Sequence, residues 1–300
     1  MPLFLAPPPT PESILGYPIG ARITNYRDQE RVVDAIAAAR PDRVRKFVYG
    51  KSPEGRPLRV FAISSPKNIA ALEKIRQDNL RRSRGETVAT GPAIVWINQT
   101  IHGNEPASFE SAMELMHRLA DPSGDLAAKL DDVVVMLNPG YNPDGHERYA
   151  VYYGSVARSD LDAEAFERQE PSIIAGRLNH YRFDLNRDRV SFSQDETRQE
   201  FAEMLRWGPQ AYVDQHGQVE TYFMPPEPMS VNPNVDRARN LKWTTVFGKA
   251  IAGAFDRRGF SYFTGDTFDL YYPGYLDAST TLSGALGMML GLMWHWSFPI

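Results

Sequence analysis

His102 and Glu105 lie three residues apart in QTIHGNEP, and His216 follows far downstream in VDQHG. Two imidazoles and a carboxylate can hold a zinc ion and leave its fourth position to water. That is the donor set of a catalytic rather than a structural site. The His-x-x-Glu spacing alone is weak, because it arises often by chance. For the pair alone a bland reading fits better: a surface histidine near a helix start, with Glu105 favoured there by the helix dipole. The setting makes convergence plausible. Each histidine follows an apolar run, AIVWIN at 93–98 and the segment beginning AYV at 211–213. The carboxyl ends of buried strands are where open α/β sheets gather their ligands. Gly217 is expected to let the chain turn sharply after His216. His117, on a helix face, His146 and His180, near loops, and His295, in an apolar tail, are expected to be structural or surface residues.

The elements that must position these groups are legible as periodicities. Residues 28–40 and 106–119 have helical spacing, and Pro106 suits a first helical turn. A further helix is expected at 66–84, another at 241–257, and a short strand at 259–263. Residues 47–50 and 57–64 read as strands around the turn KSPEGR, where Pro and Gly punctuate the chain. AIVWIN and VVVML (133–137) are continuous apolar runs, the mark of strands covered on both faces. Strands alternating with helices indicate an α/β sheet with helices on both sides. Residues 1–25 read as a Pro-rich irregular lead-in. From Thr281 the chain is apolar, and Gly, Ser, His and Pro interrupt the run. A buried strand or helix is preferred there over a membrane segment.

The bulk composition narrows the chemistry. The 300 residues suffice for one large α/β domain, and 33 basic against 37 acidic residues give a net charge of −4. That balance argues against nucleic acid as a partner. There is no cysteine, which excludes thiolate zinc sites, disulfides and a cysteine nucleophile. The opening MPLFLAPPPT lacks the basic and apolar regions of an intact signal peptide.

Two more segments complete a pattern. NPGYNPDG occupies 138–145, directly after VVVML, and RFDLNRDR occupies 182–189. In this order, His-x-x-Glu, Asn-Pro-Asp-Gly, Asp-x-Asn-Arg and a late strand-end histidine resemble the carboxypeptidase A-like zinc carboxypeptidases of the M14 family. The resemblance runs from about Lys46 to about Leu290. It implies an α/β fold with a mixed, largely parallel central sheet and helices on both faces. It implies one Zn2+ on His102, Glu105 and His216, with Asp184 accepting the other ring N–H of His102. Asn186 and Arg187 would hold a substrate's terminal carboxylate, chemistry that suits a guanidinium fork. An ion pair of Arg187 with Asp184 or Asp188 is the structural alternative. Arg177, chosen over Arg158 and Arg182, would polarise the scissile carbonyl. Tyr272, chosen over Tyr271 and Tyr275, would lie near the substrate's terminus. The implied partner is a peptide or small substrate with a free carboxylate, and the implied location is secreted or periplasmic. Residues 1–45 form the lead-in and first helix of the same domain. Residues 46–300 form the catalytic-type domain, expected to be truncated or altered at its C-terminus.

One position departs from that pattern. The family's proton-transferring glutamate follows a stretch resembling TLSGALGMML, and here Gly291 stands in its place. No glutamate follows Glu227, and of the nearby carboxylates Asp266, Asp269 and Asp277 none fits the motif. Three readings stay open: a tail changed by a lost reading frame, a natural non-catalytic relative that binds zinc and peptides, or a base supplied from elsewhere. The expected function is hydrolysis of C-terminal peptide bonds, weakened by the missing base. Alternatives are a zinc- and peptide-binding protein without activity, or a deacylase or cell-wall peptide hydrolase.

Overall fold

A computed structural model describes residues 6–157, 170–218, 222–226, 231–265 and 270–293. Its centre is one sheet of eight strands. These are β1 (Val44–Lys51), β2 (Pro57–Ile63), β3 (Ala93–Gln99), β4 (Val133–Asn138), β5 (Ala211–Gln218), β6 (Tyr222–Phe223), β7 (Tyr262–Phe263) and β8 (Leu286–Met293). The spatial order is β1-β2-β4-β3-β5-β8-β6-β7. β4, β3, β5 and β8 run parallel to one another in the middle of the sheet. β1 and β2 join one side as an antiparallel pair, and β6 pairs antiparallel with β8 on the other. The expected mixed, largely parallel sheet is therefore present.

The parallel strands carry apolar side chains on both faces because helices cover both. On one side lie α2 (Tyr26–Ala39) and α5 (Pro106–Ala120). They pack Val32, Val33, Ile36, Met113 and Met116 against Phe61, Ile63, Val135 and Leu137. On the other lie α4 (Leu72–Ser83) and α7 (Asp195–Trp207). They bring Ile75, Met204 and Trp207 onto Val60, Trp96, Met136 and Tyr212. Alternation along β3, β4 and β5 then stacks rows on that second face. Trp96 pairs with Met136 and Tyr212, and one step on Asn98 pairs with Asn138 and Asp214.

The structure departs from the expected elements in several places. The helix expected at 66–84 is two, α3 (Pro66–Ala70) and α4, with Ala71 between them out of helical geometry (φ −100°, ψ 12°). Buried Asn68 explains the break, since its amide donates to Ser64 Oγ and to the carbonyls of Leu130 and Asp131, fixing α3 to a separate turn. The lead-in is not wholly irregular: α1 (Pro11–Leu15) forms with Thr10 as its cap and Pro11 at its first turn. Three helices had no expected counterpart: α6 (Pro143–Val156), α7 and α9 (Leu276–Leu282). The late apolar run enters the sheet as β8 between β5 and β6. No helix among the described residues is long and apolar enough to cross a membrane. α8 (Arg237–Asp256) falls where a helix was expected.

Candidate metal centre

The centre forms where β3 and β5 end. After β3 the chain makes a tight turn through Thr100, whose φ of 61° is unusual for a β-branched residue. Thr100 keeps this conformation because its carbonyl accepts from Asn142 N and its hydroxyl bonds Ser108. His102 follows, and Glu105 sits at the N-cap of α5 without capping it. Its carboxylate turns inward instead. Glu105 Oε1 lies 2.8 Å from His102 Nδ1, and Oε2 lies 3.1 Å from His216 Nδ1. One ligand atom from each of the three residues lies within 4.8 Å of the others. The ring centroids of the two histidines are 5.0 Å apart.

Close backbone approaches make this convergence possible. A Cβ on Gly103 would sit 2.1 Å from His146 N and 2.5 Å from Gly176 O, so only glycine lets the 101–105 turn lie against α6 and the 175–178 loop. Gly217 does not turn the chain as expected, because β5 continues through it to Gln218. Its role is proximity: a Cβ there would lie 2.8 Å from Glu105 Cβ, and its bare N–H donates to Glu105 Oε2 at 2.8 Å.

Each imidazole carries a second carboxylate on its outer nitrogen. His102 Nε2 lies 3.0 Å from Asp184 Oδ1, and His216 Nε2 lies 2.8 Å from Asp214 Oδ2. Asp184 was expected there, whereas Asp214 went unnoticed. Its signal was nonetheless present in VDQHG, since positions two apart on a strand share a face. Burial opposes charge on Glu105, but the two histidines outweigh it and hold the carboxyl well below the usual range. Burial likewise works against Asp184, and His102, Arg177 and Arg187 together pull it low. His216 is held well above an ordinary histidine: burial disfavours its cation, but Asp214 and Glu105 prevail.

The remaining expected residues surround this cluster. Arg177 donates to Glu105 Oε1 at 3.3 Å and to Asp184 Oδ2 at 3.2 Å, and is 39% exposed, so its guanidinium can still meet a ligand. Arg182 points away, onto the carbonyl of Ile174. Asn186 is buried, its Oδ1 accepting from Leu276 N at 2.8 Å and its Nδ2 3.4 Å from His216 Nε2. Arg187 lies over the Tyr275 ring at 4.5 Å and donates to the Asn186 carbonyl. Asp188 is taken by Ser191, Ser193 and Gln194 rather than by Arg187. Tyr272 reaches the Arg187 carbonyl at 3.5 Å, and Tyr271 is exposed and accepts from Asn232 through its carbonyl. Asp277 is buried in α9 and accepts from Ala278 N. Arg158, Asp266, Asp269 and His295 lie outside the described residues.

Gly291 falls on β8 directly beside His216 in the parallel register. The strand next to the histidine therefore presents no side chain at that level. A second group, Glu54, Asp144 and His180, also gathers three potential ligands. Arg56 already occupies it, pairing with Glu54 at 2.6 Å and Asp144 at 2.7 Å, so its charge is satisfied from within.

A zinc carboxypeptidase family model matches residues 29–254. The chain belongs to the zinc carboxypeptidase family. Carboxypeptidase 2 of Trichophyton tonsurans is 28% identical over 166 residues, 55% of this chain and 23% of the relative, so the match spans about a quarter of that protein's length. Among solved structures, carboxypeptidase A from Helicoverpa armigera superposes with a TM-score of 0.62 at 17% identity, covering 91% of this chain and 65% of that one. A metallo-carboxypeptidase from Burkholderia cenocepacia gives 0.62 at 17% identity, covering 90% and 61%. These likenesses establish the carboxypeptidase fold.

Proposed function

We propose that this protein holds one zinc ion on His102, Glu105 and His216 and binds peptides or small ligands through a free carboxylate, as a metallocarboxypeptidase whose proton-transfer carboxylate is missing. The reading takes the lead-in of 1–45 and the segment 46–300 as one domain. In support, Thr24 N donates to Glu110 of α5, and the Gln29 amide reaches the carbonyls of Phe109 and Pro139.

The observation that carries the reading is the donor set. Two Nδ1 atoms and one carboxylate face a common point, and each outer ring nitrogen meets an aspartate, the arrangement that fixes imidazoles as ligands. Zinc bound there would supply an acidified water and polarise a carbonyl. The chain's own groups do the rest. Arg177, partly exposed beside Glu105, would stabilise negative charge growing on a carbonyl oxygen. Arg187 would engage the ligand's carboxylate, with Asn186 behind it and Tyr272 at the rim. A side chain beside His216 would ordinarily take and return the proton, and Gly291 has none. That absence also favours a second reading, a protein that binds zinc and peptide C-termini without cleaving them.

Metal analysis and a hydrolysis assay with and without chelator test both. The expected result is one zinc per chain and chelator-sensitive cleavage of peptides with free C-termini, slower by roughly 10²–10⁴ than an enzyme possessing the base. Absence of bound zinc in metal-replete protein would sink the proposal. Complete absence of cleavage beside intact peptide binding would select the second reading.

A further inference from the structure

The expected second carboxylate, Asp184, is only part of what holds the histidines. Asp214 is fully buried, and its two oxygens divide between two donors. Oδ2 takes His216 Nε2 at 2.8 Å, and Oδ1 takes Asn98 Nδ2 at 3.4 Å. Asn98 Oδ1 accepts from Asn138 Nδ2 at 2.9 Å, and the same amide nitrogen reaches Tyr49 OH at 3.0 Å. Asp214, Asn98 and Asn138 are register partners on β5, β3 and β4, so the row crosses the sheet at right angles to the strands.

The polarity of this row follows from its end. An ionised carboxylate only accepts. Asn98 must therefore turn its amide nitrogen toward Asp214 and its oxygen toward Asn138, which in turn must donate. His216 must donate from Nε2 to Asp214, which turns Nδ1 toward Glu105. The row sets the amide orientations and, through Asp214, the orientation and tilt of the ring. All three side chains are fully buried, so losing one partner is costly for the others.

We propose that Asp214, braced by Asn98 and Asn138, is the positioning residue that fixes His216 Nδ1 toward the metal centre. This rests on the proposed zinc site and goes beyond it, since it makes metal retention depend on side chains that never touch the ion. The two aspartates differ in kind. Asp184 is 21% exposed and shares Arg177, whereas Asp214 is held entirely by the sheet.

Asp214→Asn is the sharpest test, because it keeps the shape and changes the bonding. An amide offers one acceptor where the carboxylate offers two, so either Asn98 or His216 loses its partner. Zinc affinity, measured by competition with a chromophoric chelator, is expected to fall by about 10- to 100-fold, the range for outer partners of metal ligands. Asn98→Ala, which leaves the carboxylate in place, is expected to give a smaller fall in the same direction. Circular dichroism identifies the folded variants, so a purely structural role would alter thermal unfolding while leaving zinc affinity unchanged. Parental affinity in folded Asp214→Asn overturns the inference. Should that variant not fold, Asn98→Ala decides by the same criterion. If the parent itself binds no zinc, the failure lies with the proposed site and not with Asp214.

Discussion

The β5 side and the β8 side of the same sheet end are built to opposite standards. On β5, His216 is surrounded: Glu105 and Gly217 in front, Asp214 behind, Asn186 above. On β8, one strand away and in register, Gly291 offers only backbone. The contrast separates two tasks that a hydrolase normally joins. In the proposed function, holding a metal and orienting a substrate fall to the many fixed groups on the β5 side. Moving a proton requires one carboxylate, and that is what the β8 side lacks.

The largest expected effect comes from filling the empty side. Gly291→Glu should raise chelator-sensitive peptide hydrolysis by roughly 10²–10⁴ while leaving zinc stoichiometry at its parental value. Equal rates in parent and variant would break the comparison, because the base would then come from elsewhere. The next effect probes the foundation under β5. Arg189 and Glu200 form a fully buried ion pair, and Tyr212 of β5 donates to Glu200 Oε1 at 3.0 Å. Glu200→Ala strands the arginine and should cost about 3–5 kcal/mol in denaturant unfolding. A loss below about 1 kcal/mol would show that the β5 side does not depend on this pair.

A third effect lies on the opposite face of the sheet. Burial lifts the Glu110 carboxyl from its ordinary 4.5 to about 7, against the opposing donors of Thr24. Between those values the folded chain holds a proton that the unfolded chain has released, so stability falls as pH rises through the window. At ~1.4 kcal/mol per unit, this amounts to about 3 kcal/mol at most. Glu110→Gln should flatten the profile between pH 5 and 7, as read by urea unfolding at each pH. An unchanged slope would remove Glu110 as its source. The smallest effect concerns the loop half of the centre. Asp184→Ala should weaken zinc binding by about 10-fold, the low end of the range for outer partners, because Asp184 is partly exposed. A loss larger than that of Asp214→Asn would invert the ranking of the two aspartates.

Much of this is legible in the sequence. The buried strands declared themselves as apolar runs, and His102, Glu105 and His216 as strand-end residues in a recognisable order. Asp184 was expected from that order, and Arg177 was chosen over Arg158 and Arg182. What stayed hidden was what depends on distance between chain segments. Gly217 looked like a turn, because nothing local reveals that Glu105 would press against it. The split at Ala71 was invisible, since its cause is Asn68 reaching to Leu130 and Asp131. Asp214 shares a face with His216 by simple alternation, but Asn98 and Asn138 join it only once the strand order is known. α6 starts where Asn142 caps Gly145 N, a signal present in NPDG but weaker than the motif's other associations.

The row of Asn138, Asn98 and Asp214 also acts as a gauge of strand alignment. Side chains on a strand alternate, so a slip of β5 by one residue would turn Asp214 and His216 to the α5 face and bring Gln215 and Gly217 into their places. A misaligned chain could still bury its valines and look compact, yet it would present no imidazole to Glu105. Uptake of a metal at this centre would therefore count correctly threaded molecules, separating them from collapsed ones that bulk measures of folding cannot tell apart.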